Sequence, residues 1–154
     1  FMWGHKQEKT PTWFGIFTAD GGRTEVVETL QELWSGKPAD VQAPRIRSLR
    51  IDDRVATDDL ELAAGRRARA SFELSRGDTR KVRVSWEVLE ERKQPSQGGD
   101  AESSPASVDV TMATRSKTKL VFRVPADPGA YRLYLYVRGA GDTVATANFP
   151  FLVK

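Results

Sequence analysis

The side chain best suited to acid-base chemistry is His5, the only histidine in the chain. A serine or cysteine triad would have to use it as the base, and the chain contains no cysteine. Lys6 follows it directly, which is typical of an ordinary polar position. No nucleophile elbow, phosphate-binding glycine loop or zinc-ligand spacing occurs elsewhere. We therefore predict no catalytic residue and no cofactor, and a chain that is not an enzyme by itself.

Acidic pairs could offer oxygen ligands to calcium. They occur at Asp52-Asp53, at Asp58-Asp59 and in the run Gly98-Gly99-Asp100-Ala101-Glu102. None has the spacing of an EF-hand loop, and aspartate and glycine are also the residues that turns require. The sequence therefore predicts turns at these positions and no metal ligand.

Tyr134 and Tyr136 are the side chains best placed to stack on a sugar ring. They alternate with Leu133 and Leu135, so a strand would place both tyrosines on one face. A central strand can equally have both of its faces covered. We therefore predict a sugar contact at Tyr134 and Tyr136 on the condition that their face is open.

The strand that carries these tyrosines organises the predicted fold. Residues 131–137 alternate at the period of a β-strand, after a turn at Pro125–Gly129. Tyr131 lies near the start of the strand, where its ring can be buried and its hydroxyl can return to nearby backbone. This is the tyrosine corner of immunoglobulin-like sandwiches.

Other alternating runs predict the remaining strands. They span Ile46 to Ile51, Leu60 to Leu62, Ala68 to Leu74, Val82 to Val88, Val108 to Met112, Leu120 to Val124 and Val144 to Val153. Trp86 would face the core from the middle of its strand. Pro150 implies a bulge or an edge position in the last strand. About seven short strands at regular spacing favour a mainly β fold, an immunoglobulin-like β-sandwich.

The first forty residues have a different pattern. Val26, Leu30 and Leu33 recur at helical spacing, which predicts a helix over Thr24 to Trp34 with Thr24 as N-cap and Gly36 as its stop. A single helix must bury its apolar stripe against another layer. We therefore place a boundary in the proline-containing segment 36–44 and predict two parts, residues 1–40 and 41–154.

Charge and hydropathy limit the partners. The net charge is +3, with 24 basic residues against 21 acidic ones. The basic clusters Arg66-Arg67-Ala68-Arg69 and Arg80-Lys81-Val82-Arg83 are interpreted as solvated strand faces and turns, and no nucleic acid is expected. No apolar run approaches the ~20 residues that cross a bilayer, so no membrane insertion is expected.

The run FMWGHKQEKTPTWFG at residues 1–15 resembles the end of the TIM-barrel catalytic domain in bacterial glycoside hydrolases related to family 2. In that family one helix ending in W-x-G, a proline-rich linker and a C-terminal immunoglobulin-like domain follow. The matching segments here are Trp34-Ser35-Gly36, Trp86-Glu87-Val88-Leu89-Glu90 and Gly98-Gly99-Asp100-Ala101-Glu102.

The resemblance implies that residues 1–40 are a remnant of a barrel and that Trp3 contacts sugar when the barrel is complete. Glu8 matches only a loop residue, so no catalytic residue is carried over. The function implied is that of a non-catalytic accessory domain that supports a parent TIM-barrel domain or contacts polysaccharide, in the bacterial periplasm or secreted. The alternatives are an independent carbohydrate-binding module and a protein-interaction sandwich of the bacterial envelope.

Overall fold

The computed structural model describes residues 16–18, 20–91 and 107–154. The elements of these ranges are α1 (Glu25–Ser35), β1 (Arg45–Ile51), β2 (Glu61–Leu62), β3 (Arg67–Arg76), β4 (Arg83–Glu90), β5 (Met112–Ser116), β6 (Lys119–Arg123), β7 (Gly129–Arg138) and β8 (Val144–Val153). None of the helical residues in these ranges forms a helix that is long and apolar enough to cross a membrane.

The strands form two four-stranded sheets. The first has the order β1-β3-β6-β5 and the second the order β2-β8-β7-β4. All neighbours are antiparallel except the short β2–β8 pair. The inner faces share one core, in which the rings of Phe122 and Phe151 from opposite sheets lie 6.0 Å apart. The mainly β prediction is confirmed, whereas nothing in the described ranges shows a barrel remnant.

Strand β7 lies between β8 and β4, as expected for the organising strand. Leu133, Leu135 and Val137 are completely buried on its inner face. The ring of Tyr131 is also buried, and its hydroxyl donates a 2.9 Å hydrogen bond to the backbone oxygen of Asp127. The predicted tyrosine corner is therefore confirmed.

Trp86 was expected to lie fully in the core, and this is only partly correct. The side chain is half-buried and packs edge-on against Phe72, with ring centroids 5.8 Å apart. The reason is that β4 is an outer strand of its sheet, so no further strand of the described ranges covers the ring on that side. Pro150 agrees with the predicted edge position. It lies in β8 before the short stretch that pairs with β2, so within the described ranges no strand pairs with β8 at Pro150 on that side.

The predicted strand over Val108 to Met112 is displaced along the chain. The observed β5 begins at Met112, which pairs with Phe122 of β6. Val108 and Val110 precede the strand and pack against the core as partly buried side chains. The apolar alternation marked burial, while backbone pairing with β6 decided where the strand lies.

The helix α1, Glu25–Ser35, begins and ends within one residue of the predicted bounds. Gly36 has a left-handed φ of 67°, and its N–H donates to the oxygen of Glu32 at 2.9 Å. Thr24 occupies the N-cap, but its hydroxyl donates to the backbone oxygen of Ile16 at 2.6 Å instead of accepting from the helix. The N-terminal end of α1 is thereby tied to the chain that precedes it.

The orientation of α1 differs from expectation. Its acidic residues Glu25 and Glu28 face the sandwich and pair with arginines there. Val26, Leu33 and Trp34 are exposed, the last by 80%. The apolar stripe is therefore not buried by the sheets, and the helix is held to the sandwich by charged contacts. The division into residues 1–40 and 41–154 stays a prediction.

Candidate anion-binding site

Four basic side chains share the outer face of the first sheet: Arg67 and Arg69 of β3, and Lys119 and Arg123 of β6. All four are exposed, and they alternate with buried inward residues such as Ala68 and Phe122. We call these four residues the basic face. Because successive side chains of a strand point to opposite faces, basic residues from two stretches of sequence lie together on one cationic surface.

The register of β3 and β6 places the charges close together. Arg67 lies directly opposite Arg123, and Lys119 lies opposite Ser71. Arg69, opposite Val121, lies between these two rows. Residues two apart on a strand are separated by about 6.7 Å, and like charges directly opposite each other destabilise a sheet. The basic face is therefore a dense positive patch that costs the fold some stability.

A concavity of about 820 Å³ lies over this face. Its lining residues are Asp52, Asp53, Arg66, Arg67, Arg69, Ala70, Ser71, Lys119, Leu120 and Val121. Three of the four residues of the basic face contribute to it, and Ser71 adds a hydroxyl. The concavity thus presents mostly hydrogen-bond donors.

One rim of the concavity is the turn between β1 and the segment after it. Its residues Asp52 and Asp53 have left-handed φ values of 46° and 65°. The carboxylate of Asp52 accepts a 2.9 Å hydrogen bond from the backbone N–H of Arg69 and forms an ion pair with the guanidinium of Arg66. Asp52 therefore neutralises Arg66 and fixes this turn against β3.

The other cations of the concavity differ from Arg66 in their pairing. Among the residues that the structure describes, Arg67, Arg69 and Lys119 form no ion pair. Guanidinium groups bind carboxylate, phosphate and sulfate oxygens in a planar two-point geometry, and an ammonium group adds a point charge. The arrangement can bind an anion, and its residue types do not form a nucleophile and base pair.

The predicted sugar-contact tyrosines lie on the other sheet, and they are brought together. Tyr134 and Tyr136 are stacked with ring centroids 6.3 Å apart. Their exposed fractions are only 1% and 9%. The hydroxyl of Tyr136 donates to Glu87 at 3.0 Å, and burial together with the Glu87 charge raises the pKa of Tyr136. The prediction required an open face, and the burial of both rings does not meet this condition.

The other predicted positions divide into two groups. Trp3, His5, Glu8 and the run 98–102 lie outside the described residues. The described acidic pairs form turns, as predicted. The carboxylate of Asp58, for example, accepts from the backbone N–H of Val55 at 2.9 Å. Within the described ranges no three acidic or histidine side chains come together as metal ligands.

The sequence interpretation missed the basic face. Arg66-Arg67-Ala68-Arg69 was interpreted as a solvated stretch, and Lys119 and Arg123 were not singled out. The available signal was the alternation of Arg67 and Arg69 with buried alanines, repeated by Lys119 and Arg123 in another strand. The sequence shows which face each row occupies, but it does not show that β3 and β6 are neighbours.

Comparison with known proteins finds no matching family model and no matching curated protein. Among solved structures, the methionine-rich copper resistance protein PcoC from Escherichia coli aligns with 18% identity and a TM-score of 0.42, over 73% of this chain and 99% of that chain. The soluble domain of PmoD from a Methylocystis species aligns with 17% identity and a TM-score of 0.41, over 69% and 90%. A DUF4784 family protein from Bacteroides caccae aligns with 10% identity and a TM-score of 0.35, over 70% and 24%.

These comparisons correct the predicted origin of the chain. They include the copper resistance protein PcoC where the resemblance implied a C-terminal domain of a glycoside hydrolase, so that prediction is wrong. The accessory role, the carbohydrate-binding module and the envelope interaction module are likewise unsupported. The parent barrel as a partner, implied by the same resemblance, stays a prediction that these comparisons do not test. TM-scores below 0.5 at these identities carry no function to this chain.

Proposed function

We propose that this chain is a non-catalytic β-sandwich module that binds an anionic ligand on the basic face. The observation that carries the proposal is the pairing of Arg67 with Arg123 directly across two strands, beside Arg69 and Lys119. Like charges in this position oppose folding. A bound anion would offset that repulsion, and this gives the arrangement a physical reason.

The geometry favours a ligand with at least two anionic groups. The cations occupy successive rows about 6.7 Å apart along the strands, and the concavity of about 820 Å³ lies within the usual range for small-molecule sites. Arg67 and Arg69 would each bind one oxyanion group, and Lys119 would add charge beside them. Phosphate and carboxylate groups both fit this chemistry.

We also propose that the sandwich is immunoglobulin-like. The tyrosine corner formed by Tyr131 and Asp127 supports an immunoglobulin-like arrangement of the sandwich. Such sandwiches serve unrelated functions, so the fold alone does not assign the ligand. A periplasmic or secreted location stays a prediction.

Titration calorimetry with tripolyphosphate and with citrate tests the proposal. We expect the chain to bind at least one of them at low ionic strength and to bind more weakly as salt is added. The double substitution Arg67→Ser with Arg69→Ser should reduce the affinity about tenfold or more, because it removes both guanidinium groups of one strand.

A matched control removes the same charge elsewhere. Arg47 and Arg54 are exposed and lie outside the lining of the concavity, so Arg47→Ser with Arg54→Ser should change the affinity less than about twofold. The proposal fails if neither anion binds, or if the two double variants lose affinity equally.

A further inference from the structure

We infer that the outer edge of β4 pairs with the same edge of a second copy of this chain, in an antiparallel arrangement centred on Ser85. Among the described strands, β4 is an outer strand of the second sheet, and its neighbour there is β7. The inference is independent of the anion site, which lies on the other sheet.

The direction of the backbone groups shows which residues are available for pairing. Successive residues of a strand point their N–H and C=O groups to opposite sides. The N–H of Glu91, the residue after β4, donates to the backbone oxygen of Ala130 in β7, whereas the oxygen of Val88 accepts from the N–H of Val108 on the opposite side. Odd-numbered residues therefore face β7, and the backbone groups of Val84 and Trp86 face the outer edge.

Among the described residues, those that cover the outer edge do so toward the end of β4. Ser107 bridges Leu89, and Val108 bonds to Val88. No backbone hydrogen bond joins the outer-edge groups of Val84 or Trp86 to any residue in the described ranges. The stretch 83–87 contains no proline, glycine or lysine, and the β4–β7 register is regular. Proline, lysine and bulges are features by which proteins usually discourage pairing at an exposed edge, and this stretch has none of them.

The side chains of this stretch complement their own sequence. A two-fold axis through Ser85 places Val84 opposite the second copy's Trp86, and these residues have their backbone groups directed at each other. About four backbone hydrogen bonds would form in the two equivalent pairs. Val84 and Trp86 are both only half-buried in the single chain. A β-branched and aromatic cross-strand pair would cover the apolar surface that they leave open.

The same axis places Arg83 opposite the second copy's Glu87. Arg83 is exposed and makes no ion pair within the described residues. Glu87 is held in position by the hydroxyl of Tyr136 at 3.0 Å. Within one chain the two side chains are four residues apart along an extended strand, about 13 Å, and cannot meet. In the dimer each Arg83 would lie opposite the Glu87 carboxylate of the second copy, which gives two such pairs.

Sedimentation equilibrium of the full chain over a dilution series tests this inference. We expect a weak dimer, because the paired stretch is short. Val84→Pro should abolish the dimer while the circular dichroism spectrum is retained, since the N–H that it removes faces the outer edge. A wild-type chain that stays monomeric at every concentration overturns the inference.

Charge exchange tests the register without relying on proline. Arg83→Glu alone and Glu87→Arg alone each place like charges opposite each other in a homodimer, and each should weaken association about tenfold. An equimolar mixture of the two variants restores both opposite-charge pairs, so a heterodimer should form at least as readily as the wild-type dimer. Arg67→Glu, which makes the same charge change on the other sheet, should leave the dimer unchanged. A dimer that is unaffected by Arg83→Glu, or a mixture that does not associate, shows that this edge is not the interface.

Discussion

Glu28 of α1 and Arg76 of β3 form an ion pair, with Oε2 and Nη2 2.8 Å apart, although 48 residues separate them in the sequence. The other oxygen of Glu28 accepts from the backbone N–H of Ala43, and Nε of Arg76 donates to the oxygen of Ala43 at 2.8 Å. The side chains are exposed by only 10% and 27%. Three segments of the chain are therefore joined at one partly buried carboxylate.

Replacing this carboxylate should loosen the helix. Glu28→Ala leaves the Arg76 guanidinium and the Ala43 N–H without their shared acceptor, which should lower the free energy of unfolding by about 1–3 kcal/mol. Hydrogen exchange in α1 should accelerate more than exchange in β7. Glu32→Ala, an exposed change on the same helix, should stay within about 0.5 kcal/mol. Equal effects of the two substitutions would show that α1 is held by other contacts.

Acid should weaken the same attachment. Hydrogen bonding to Arg45 lowers the pKa of Glu25 below its ordinary value of 4.5, and the hydroxyl of Thr18 lowers the pKa of Asp20 below 3.8. A carboxyl whose pKa is lower in the folded state stabilises the fold above its unfolded pKa, and this contribution is lost as the pH falls through the folded pKa.

The free energy of unfolding should therefore decrease as the pH falls from about 5 to about 3. Glu25→Gln should make this decrease shallower, because the variant lacks one of the shifted groups. Urea denaturation at a series of pH values measures the effect, with Glu32→Gln as the control. A Glu25→Gln profile parallel to that of the wild type would contradict the linkage.

The tyrosine corner offers a test within the sandwich itself. Tyr131→Phe removes the hydroxyl that bonds to Asp127 and keeps the ring, which is parallel to Phe151 at 5.9 Å. The expected loss is about 0.5–1.5 kcal/mol in chemical denaturation. Tyr131→Ala should cost about 3–5 kcal/mol, because it also empties a core position. If Tyr131→Phe is as stable as the wild type, the hydrogen bond makes no net contribution.

The basic face should lower the free energy of unfolding while it provides affinity for anions. Arg67→Glu places an acid opposite Arg123, and the change from a repulsive to an attractive cross-strand pair should raise the free energy of unfolding by about 0.5 kcal/mol. The same variant should lose affinity for tripolyphosphate. Arg47→Glu, the same charge change on β1, should affect neither quantity appreciably. A destabilised Arg67→Glu would show that the paired arginines do not repel each other in the fold.

The sequence by itself determined the elements whose patterns are local. Alternation in 131–137 was sufficient to identify β7, and Gly36 was sufficient to end α1, because strand period and left-handed glycine geometry are properties of neighbouring residues. The prediction of Tyr131 as a corner residue was also correct, since its acceptor lies only four residues away. The resemblance of residues 1–15 to glycoside hydrolases misled, because a short motif does not carry a fold or a function with it.

Only the tertiary structure decided the features that depend on which strands are neighbours. It buried Tyr134 and Tyr136, left Trp86 at the margin of its sheet, and placed Arg67 opposite Arg123 across 56 positions of sequence. It also turned the acidic side of α1 toward Arg76, so that the apolar stripe faces outward. Each of these outcomes follows from pairing between distant segments. A single sequence records the faces of its strands, whereas the order of the strands in the sheets is set by the packing of the whole chain.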